Sequence, residues 1–137
     1  MKIIIFDDDP TDSQTVCNCP LLLKWDQDTI VNALHDSSPL LFLLVNTRSM
    51  LPALAEKTIR TISKLVYEVL LKEGFSMSEI IFVSRGDSTL RGHGVLEPLV
   101  INDVLGPFDA TLHVPAFFEG NRITINGVHF LNGSPVH

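Results

Sequence analysis

The chain lacks any run of about 20 apolar residues, so no membrane-spanning helix is expected. Cysteine is nearly absent. Cys17 and Cys19 are separated by one residue, a spacing that makes a poor structural staple, and they read as reduced thiols. A zinc site would need two more ligands at suitable spacing, and none is seen. Positive charge is scarce as well, with 10 Lys and Arg against 16 Asp and Glu and a net charge of -6. Nonspecific nucleic-acid binding and membrane association are therefore not expected. Neither Gly-x-x-x-x-Gly-Lys-Ser/Thr nor Gly-x-Gly-x-x-Gly occurs, so no familiar nucleotide cradle is present. The start, Met1-Lys2-Ile3-Ile4-Ile5-Phe6-Asp7, turns acidic too soon for a signal peptide. A cytoplasmic location is the expectation.

The chain has a core to build. Its 137 residues fit one domain, and 45% of them are hydrophobic, too many for a disordered chain. Lys2 to Phe6 is an apolar run ending in Asp7-Asp8-Asp9 and reads as a buried first strand. Leu21-Leu22-Leu23 fits a short strand. Asp26 suits the cap of a helix reaching about Ser37. Leu40 to Val45 has the continuous apolar character of a parallel strand covered on both faces. The clearest helix runs from about Pro52 to Glu73, with Ile59, Ile62, Val66, Val69 and Leu70 in one stripe and Gly74 as its stop. Ile80 to Val83 is a further strand. Leu96, Leu99, Val100 and Val104 mark a helix closed by Gly106-Pro107, and Ala110 to Val114 reads as a fourth buried strand. Asn126-Gly127, between Ile123–Ile125 and Val128–Phe130, is a type I′ hairpin signal. The predicted fold is α/β, a mostly parallel sheet flanked by helices, with a C-terminal β-hairpin.

In such sheets ligands sit at the carboxyl ends of strands. Four polar motifs follow predicted strands: Asp7-Asp8-Asp9, Asn46-Thr47-Arg48-Ser49, Ser84–His93 and Pro115–Arg122. The third is the most telling. Ser84-Arg85-Gly86-Asp87-Ser88-Thr89-Leu90-Arg91-Gly92-His93 is polar, charged or glycine almost throughout, and ordering it buries little apolar surface. Its guanidinium groups, hydroxyls and carboxylate suit a small, oxygen-rich anion. Arg85 and Arg91 can clamp a carboxylate, Ser88 and Thr89 can bond hydroxyls, and Asp87 can accept from a sugar hydroxyl or orient Arg85. A histidine beside glycines, as His93 is, is more often structural than catalytic. Three adjacent carboxylates repel one another unless protonated, paired or bound to a cation. Asp8 or Asp9 can serve as general base toward a substrate hydroxyl. Arg48 adds a third arginine, or its segment only leads into the helix at Pro52. Phe117 and Phe118 read as core or interface residues.

In order and number these motifs resemble the four-carbon acid sugar kinase family. The matching segments are Asp7-Asp8-Asp9-Pro10-Thr11 with Ser13-Gln14-Thr15, Asn46-Thr47-Arg48-Ser49, and Ser84–His93. Pro115-Ala116-Phe117, Gly120 and Arg122-Ile123-Thr124-Ile125-Asn126-Gly127-Val128-His129 complete the set, which spans essentially the whole chain. The resemblance implies an ATP-dependent kinase acting on four-carbon acids such as threonate, erythronate or their 2-keto relatives. It implies an N-terminal α/β domain that binds the acid sugar and a C-terminal domain that binds the nucleotide. Residues 1–137 resemble the first of these alone. ATP and Mg are then expected for the full-length family but mainly outside this chain, which by itself transfers no phosphate. The implied catalytic residues are Asp8 and Asp9. The implied substrate-binding residues are Asp7, Arg48, Ser49, Ser84, Arg85, Asp87, Ser88, Thr89 and Arg91, with no metal ligand. The expected partners are the acid sugar and the missing nucleotide-binding domain, with homo-oligomerisation left open. Two positions depart from the family's pattern: Asp12 stands where glycine is usual, and Cys17-Asn18-Cys19 replaces a stretch usually holding histidine and aspartate.

Two alternatives come from other classes. Asp7-Asp8-Asp9-Pro10-Thr11 also reads as Asp-x-Asp-x-Thr, the nucleophile motif of a metal-dependent phosphohydrolase of haloacid dehalogenase type using Asp7 and Asp9. There, however, Arg91 stands where a partner acid is needed. The other alternative is a non-catalytic interaction domain, with an apolar surface that a partner covers.

Overall fold

The computed structural model describes residues 1–11 and 16–136. Asp12 and Ser13-Gln14-Thr15, singled out in the sequence, lie outside the described residues. Four parallel strands form the main sheet: β1 (Lys2–Asp7), β2 (Leu21–Leu22), β3 (Leu40–Leu44) and β4 (Ile80–Arg85), in the order β2-β3-β1-β4. Three helices accompany it: α1 (Gln27–Leu34), α2 (Pro52–Lys72) and α3 (Leu96–Leu105). The expected hairpin, β5 (Arg122–Ile125) with β6 (Val128–Leu131), gains a third antiparallel strand, β7 (Ser134–Pro135).

Local chemistry accounts for the element ends. The Asp26 side chain accepts from the Thr29 amide at 2.9 Å and starts α1. That helix stops short of Ser37. The Lys2 ammonium, buried at the sheet, takes the carbonyls of Asp36 and Ser38 at 2.8 and 2.7 Å, which turns the chain out of the helix. At the end of α2, Gly74 adopts φ +76°. The Phe75 amide donates to the Leu70 carbonyl at 2.9 Å and the Gly74 amide to Leu71, which closes the helix. Asn126 and Gly127 take φ 51° and 78°, as a type I′ turn requires. A second such pair, Asn132-Gly133 at 51° and 77°, turns β6 into β7.

One face of the sheet carries the core. Ile4, Phe6, Leu41, Leu43 and Val45 alternate onto it and pack with Ile30 and Leu34 of α1, the Ile59–Leu70 stripe of α2, and Val100, Ile101 and Leu105 of α3. Leu40–Val45 is covered on both faces, as expected: on the face away from this cluster Phe42 and its β1 neighbour Ile5 are also buried, while Ile81 on edge strand β4 stays 45% exposed. The expected fourth strand is a correction. Residues 110–114 have no strand structure, and Leu112 and Val114 are 86% and 77% exposed. An apolar, β-favouring segment becomes a strand only where it finds a pairing edge and a face to pack on, and this one has found neither among the described residues.

The two environments predict opposite outcomes for the same substitution. Leu43→Ala should cost about 2–5 kcal/mol in urea unfolding, whereas Leu112→Ala should stay within about 0.5 kcal/mol of wild type. Equal losses would contradict the placement of residues 110–114.

Candidate functional site

The register of the sheet makes three strands end level. Asp7 pairs with Leu44 on one side and with Arg85 on the other. The loops after β1, β3 and β4 therefore leave the same edge side by side. Backbone bonds tie them together. The Val45 amide donates to the Asp7 carbonyl at 2.9 Å, the Arg48 amide to the Asp8 carbonyl at 3.2 Å, and the Asp8 amide to the Arg85 carbonyl at 3.2 Å. Asn46, at φ 54°, turns the β3 loop over β1.

Asp8 is the centre of this arrangement. Its carboxylate is 1% exposed, and Arg48 grips it with two bonds, Nη2 to Oδ1 at 2.7 Å and Nε to Oδ2 at 3.2 Å. The third loop closes over the pair. Gly92 lies so near that a Cβ there would fall 3.1 Å from Asp8 Oδ2 and 3.5 Å from the Arg48 Cα, and its φ of +84° favours glycine independently. A Cβ on Gly86 would be 3.9 Å from the same oxygen. Arg48 also reaches Asp9 at 3.5 Å. Asp9 is a quarter exposed. Hydrogen bonds from Thr11 hold its pKa below the ordinary carboxylate value, with Arg48 and Arg91 adding to the effect.

The Ser84–His93 block is organised around Asp87. Burial acts to raise the pKa of this carboxylate. Arg91 Nε, at 2.6 Å, and the Thr89 hydroxyl outweigh it and hold the group well below the usual range. Leu90, between those partners, takes a left-handed φ of 64° and is 52% exposed. For a leucine that conformation is strained, and strain of this kind gathers at ligand sites. His93 Nε2 lies 2.9 Å from the Met50 carbonyl oxygen, which links the third loop to the segment before α2.

The match to known proteins accords with these motifs. The chain belongs to the sugar-binding N-terminal domain family. The family model matches residues 3–137, and it corresponds to the N-terminal acid-sugar-binding domain that the motif order resembled. No curated protein and no solved structure matches the chain. The ligand class is thus a small-molecule sugar. No helix among the described residues is long and apolar enough to cross a membrane.

Within this sugar-binding domain the residues singled out in the sequence fall on the three loops but differ in access. Asp87, Ser88 and Thr89 are half-buried, Arg91 and Ser49 are exposed, and Arg85 is half-buried at the end of β4. Asp7 is fully buried. It therefore meets no ligand directly in this conformation and is not placed as the nucleophile that the phosphohydrolase alternative needs. Magnesium fits poorly here. No cluster of three or more His, Cys, Asp or Glu is placed to hold a metal among the described residues, and a guanidinium already takes both oxygens of Asp8. A hollow of about 500 Å³ on the small sheet is lined by Phe118, Asn121, Ile123, Asn132 and Gly133, none of them on the three loops.

Two participants stand outside the expected set of binding residues, although Arg122 belongs to the fourth polar motif. Glu97, 2% exposed in the first turn of α3, bonds the Thr47 hydroxyl of the β3 loop and accepts from the Ser84 hydroxyl at 3.2 Å. It bolts two of the loops to a helix beneath them. Its only sequence signal was an acid in the first turn. Burial pushes its pKa up, and the negative charge of Asp8 pushes it further, against the hydrogen bonds of Thr47 and Ser84 and the influence of His93. The second is Arg122, whose Nη1 donates to Ser88 Oγ at 2.8 Å. The fourth motif does not follow a strand of the main sheet, yet this side chain still joins it to the third.

A carboxyl raised in the folded state supports stability at low pH and loses that support as pH rises through its folded pKa. Glu97→Gln removes this loss. The stability of the variant relative to wild type, from urea unfolding, should therefore increase as pH goes from about 5 to 8, above the ordinary value of 4.5. A difference that stays constant with pH would show that Glu97 ionises as it does in the unfolded chain.

Proposed function

We propose that the three-loop edge binds a four-carbon acid sugar and presents one of its hydroxyls for phosphorylation by a nucleotide held outside residues 1–137. The observation that carries this reading is the interlock of Asp8, Arg48 and Gly92. It draws segments from distant parts of the chain onto one strand edge, where parallel sheets take their ligands. The hydroxyl- and arginine-rich rim around it has the chemistry of a polyhydroxylated anion. Asp87 and Thr89 meet the sugar hydroxyls, and the positive charge of Arg85 and Arg91 attracts the acid to the site without gripping its carboxylate. The lack of any phosphate-cradling glycine loop in the sequence supports a nucleotide site elsewhere, and exposed Leu112, Val114 and Phe118 are surface of the kind a neighbouring domain covers. A cytoplasmic setting accords with the two free thiols.

The roles of the two acids separate. Asp8 is committed to Arg48 and positions the loops. Asp9 is the carboxylate open to a substrate and takes the hydroxyl proton as the new P–O bond forms. A carboxylate held below its ordinary pKa is a weak base toward a free hydroxyl. It accepts the proton late, once bond formation has acidified that oxygen. In this reading the domain contributes the sugar side of the reaction.

Two glycines of one loop provide the test. Gly94 has open space around it, whereas Gly92 is both left-handed and pressed on Asp8. By calorimetry, wild type and Gly94→Ala should bind threonate or erythronate alike. Gly92→Ala should lose about 1–3 kcal/mol of stability and bind at least about tenfold more weakly. Folded wild-type protein indifferent to both acids would sink the proposal.

A further inference from the structure

We infer that Arg122 is the residue that fixes the sugar acid's carboxylate, and so decides between an acid sugar and a neutral one; this rests on the binding site proposed above. The arginines of the three loops are already engaged. Arg48 is bound to Asp8 and Asp9, and Arg91 to Asp87. Arg85, at the strand end, has its own interactions. Arg122 differs in kind. It forms no ion pair with an acid among the described residues, and its Nε is buried without a hydrogen-bond partner there. A buried N–H left without an acceptor is costly, and Arg122 as a whole is only half-buried, which leaves a carboxylate room to reach its outer nitrogens.

The surroundings fix how an anion would be met. The Phe117 ring lies 5.9 Å below the guanidinium carbon and holds its plane. Nη1 is anchored on Ser88 Oγ, which accepts that bond and still has its own proton to donate. A carboxylate laid against this pair takes one bond from the guanidinium and one from the Ser88 hydroxyl. Ser88 lies between Asp87 and Thr89, the residues proposed to meet the sugar hydroxyls. The carboxylate end and the hydroxyl end of one short molecule are then served by adjacent residues. A charged N–H and a hydroxyl side by side match the two oxygens of a carboxylate and give nothing comparable to a neutral hydroxymethyl group.

The experiment compares acids with their neutral counterparts by NMR titration of the whole chain: threonate against threitol, and erythronate against erythritol. Wild type should prefer the acids. Arg122→Gln should weaken acid binding at least about tenfold, the cost of a charge-assisted bond, and leave the polyols unchanged, which abolishes the preference. Arg122→Lys keeps charge and packing but loses the planar edge, and should fall between the two with its unfolding midpoint preserved. If Arg122→Gln proves unfolded, the lysine variant decides, and wild-type acid affinity in it overturns the inference. So does a folded glutamine variant that keeps its acid preference, or one that loses acid and polyol binding equally. Wild type that binds neither acid overturns both this inference and the proposed function; the other contrary results leave the binding site standing.

Discussion

A carboxylate shut away from water keeps its charge only when a cation and hydrogen bonds replace the water. Asp8 meets that condition through Arg48, forty residues further on. Breaking such a pair from one side typically costs about 3–5 kcal/mol, so the β1 and β3 loops cannot separate cheaply. Gly92 brings the third loop onto the same two side chains, and Glu97 fastens Thr47 and Ser84 from below. The sheet supplies the level strand ends, and the buried pair converts neighbouring loops into one rigid floor.

On that floor the polar groups are divided by accessibility. Asp7, Asp8 and Glu97 are buried and serve the fold. Asp9 is a quarter exposed, Ser88 and Thr89 are half-buried, and the Asp87 side chain lies largely covered beside Arg91. Arg122, from the small antiparallel sheet, reaches Ser88 from the far side. A protein of net charge -6 can hold a small anion on these terms, because the attraction is local and directional and does not depend on the overall field. The left-handed Leu90 fits the same picture, with local backbone strain held by the contacts around it.

Much of this was legible in the residues. Strong periodicity placed α2 and its apolar stripe, the Asp26 cap was realised, and Asn126-Gly127 gave its turn. The ends of β1, β3 and β4 were readable because each apolar run stops at a polar motif. Periodicity reports burial and not pairing, however. Ala110–Val114 looked like a strand but found no edge among the described residues, whereas Leu40–Val45, read from the same kind of run, is buried on both faces. Asn132-Gly133 repeats the hairpin signal but was not read as a turn. Among the site residues, individual roles were harder to read than location. Nothing in Asp7-Asp8-Asp9 says which carboxylate is buried against an arginine. Glu97 and Arg122 act through contacts 50 and 34 residues away, which no local spacing reveals.

The central claim is that segments after three parallel strands make one sugar-acid site. Amide chemical-shift mapping of the ¹⁵N-labelled chain during titration with threonate addresses it most directly. The account predicts saturable shifts confined to Asp8 and Asp9, Arg48 and Ser49, Gly86 to His93, and Arg122. Saturable shifts centred on α1 or on the outer strands β6 and β7, with these residues unmoved, would contradict it.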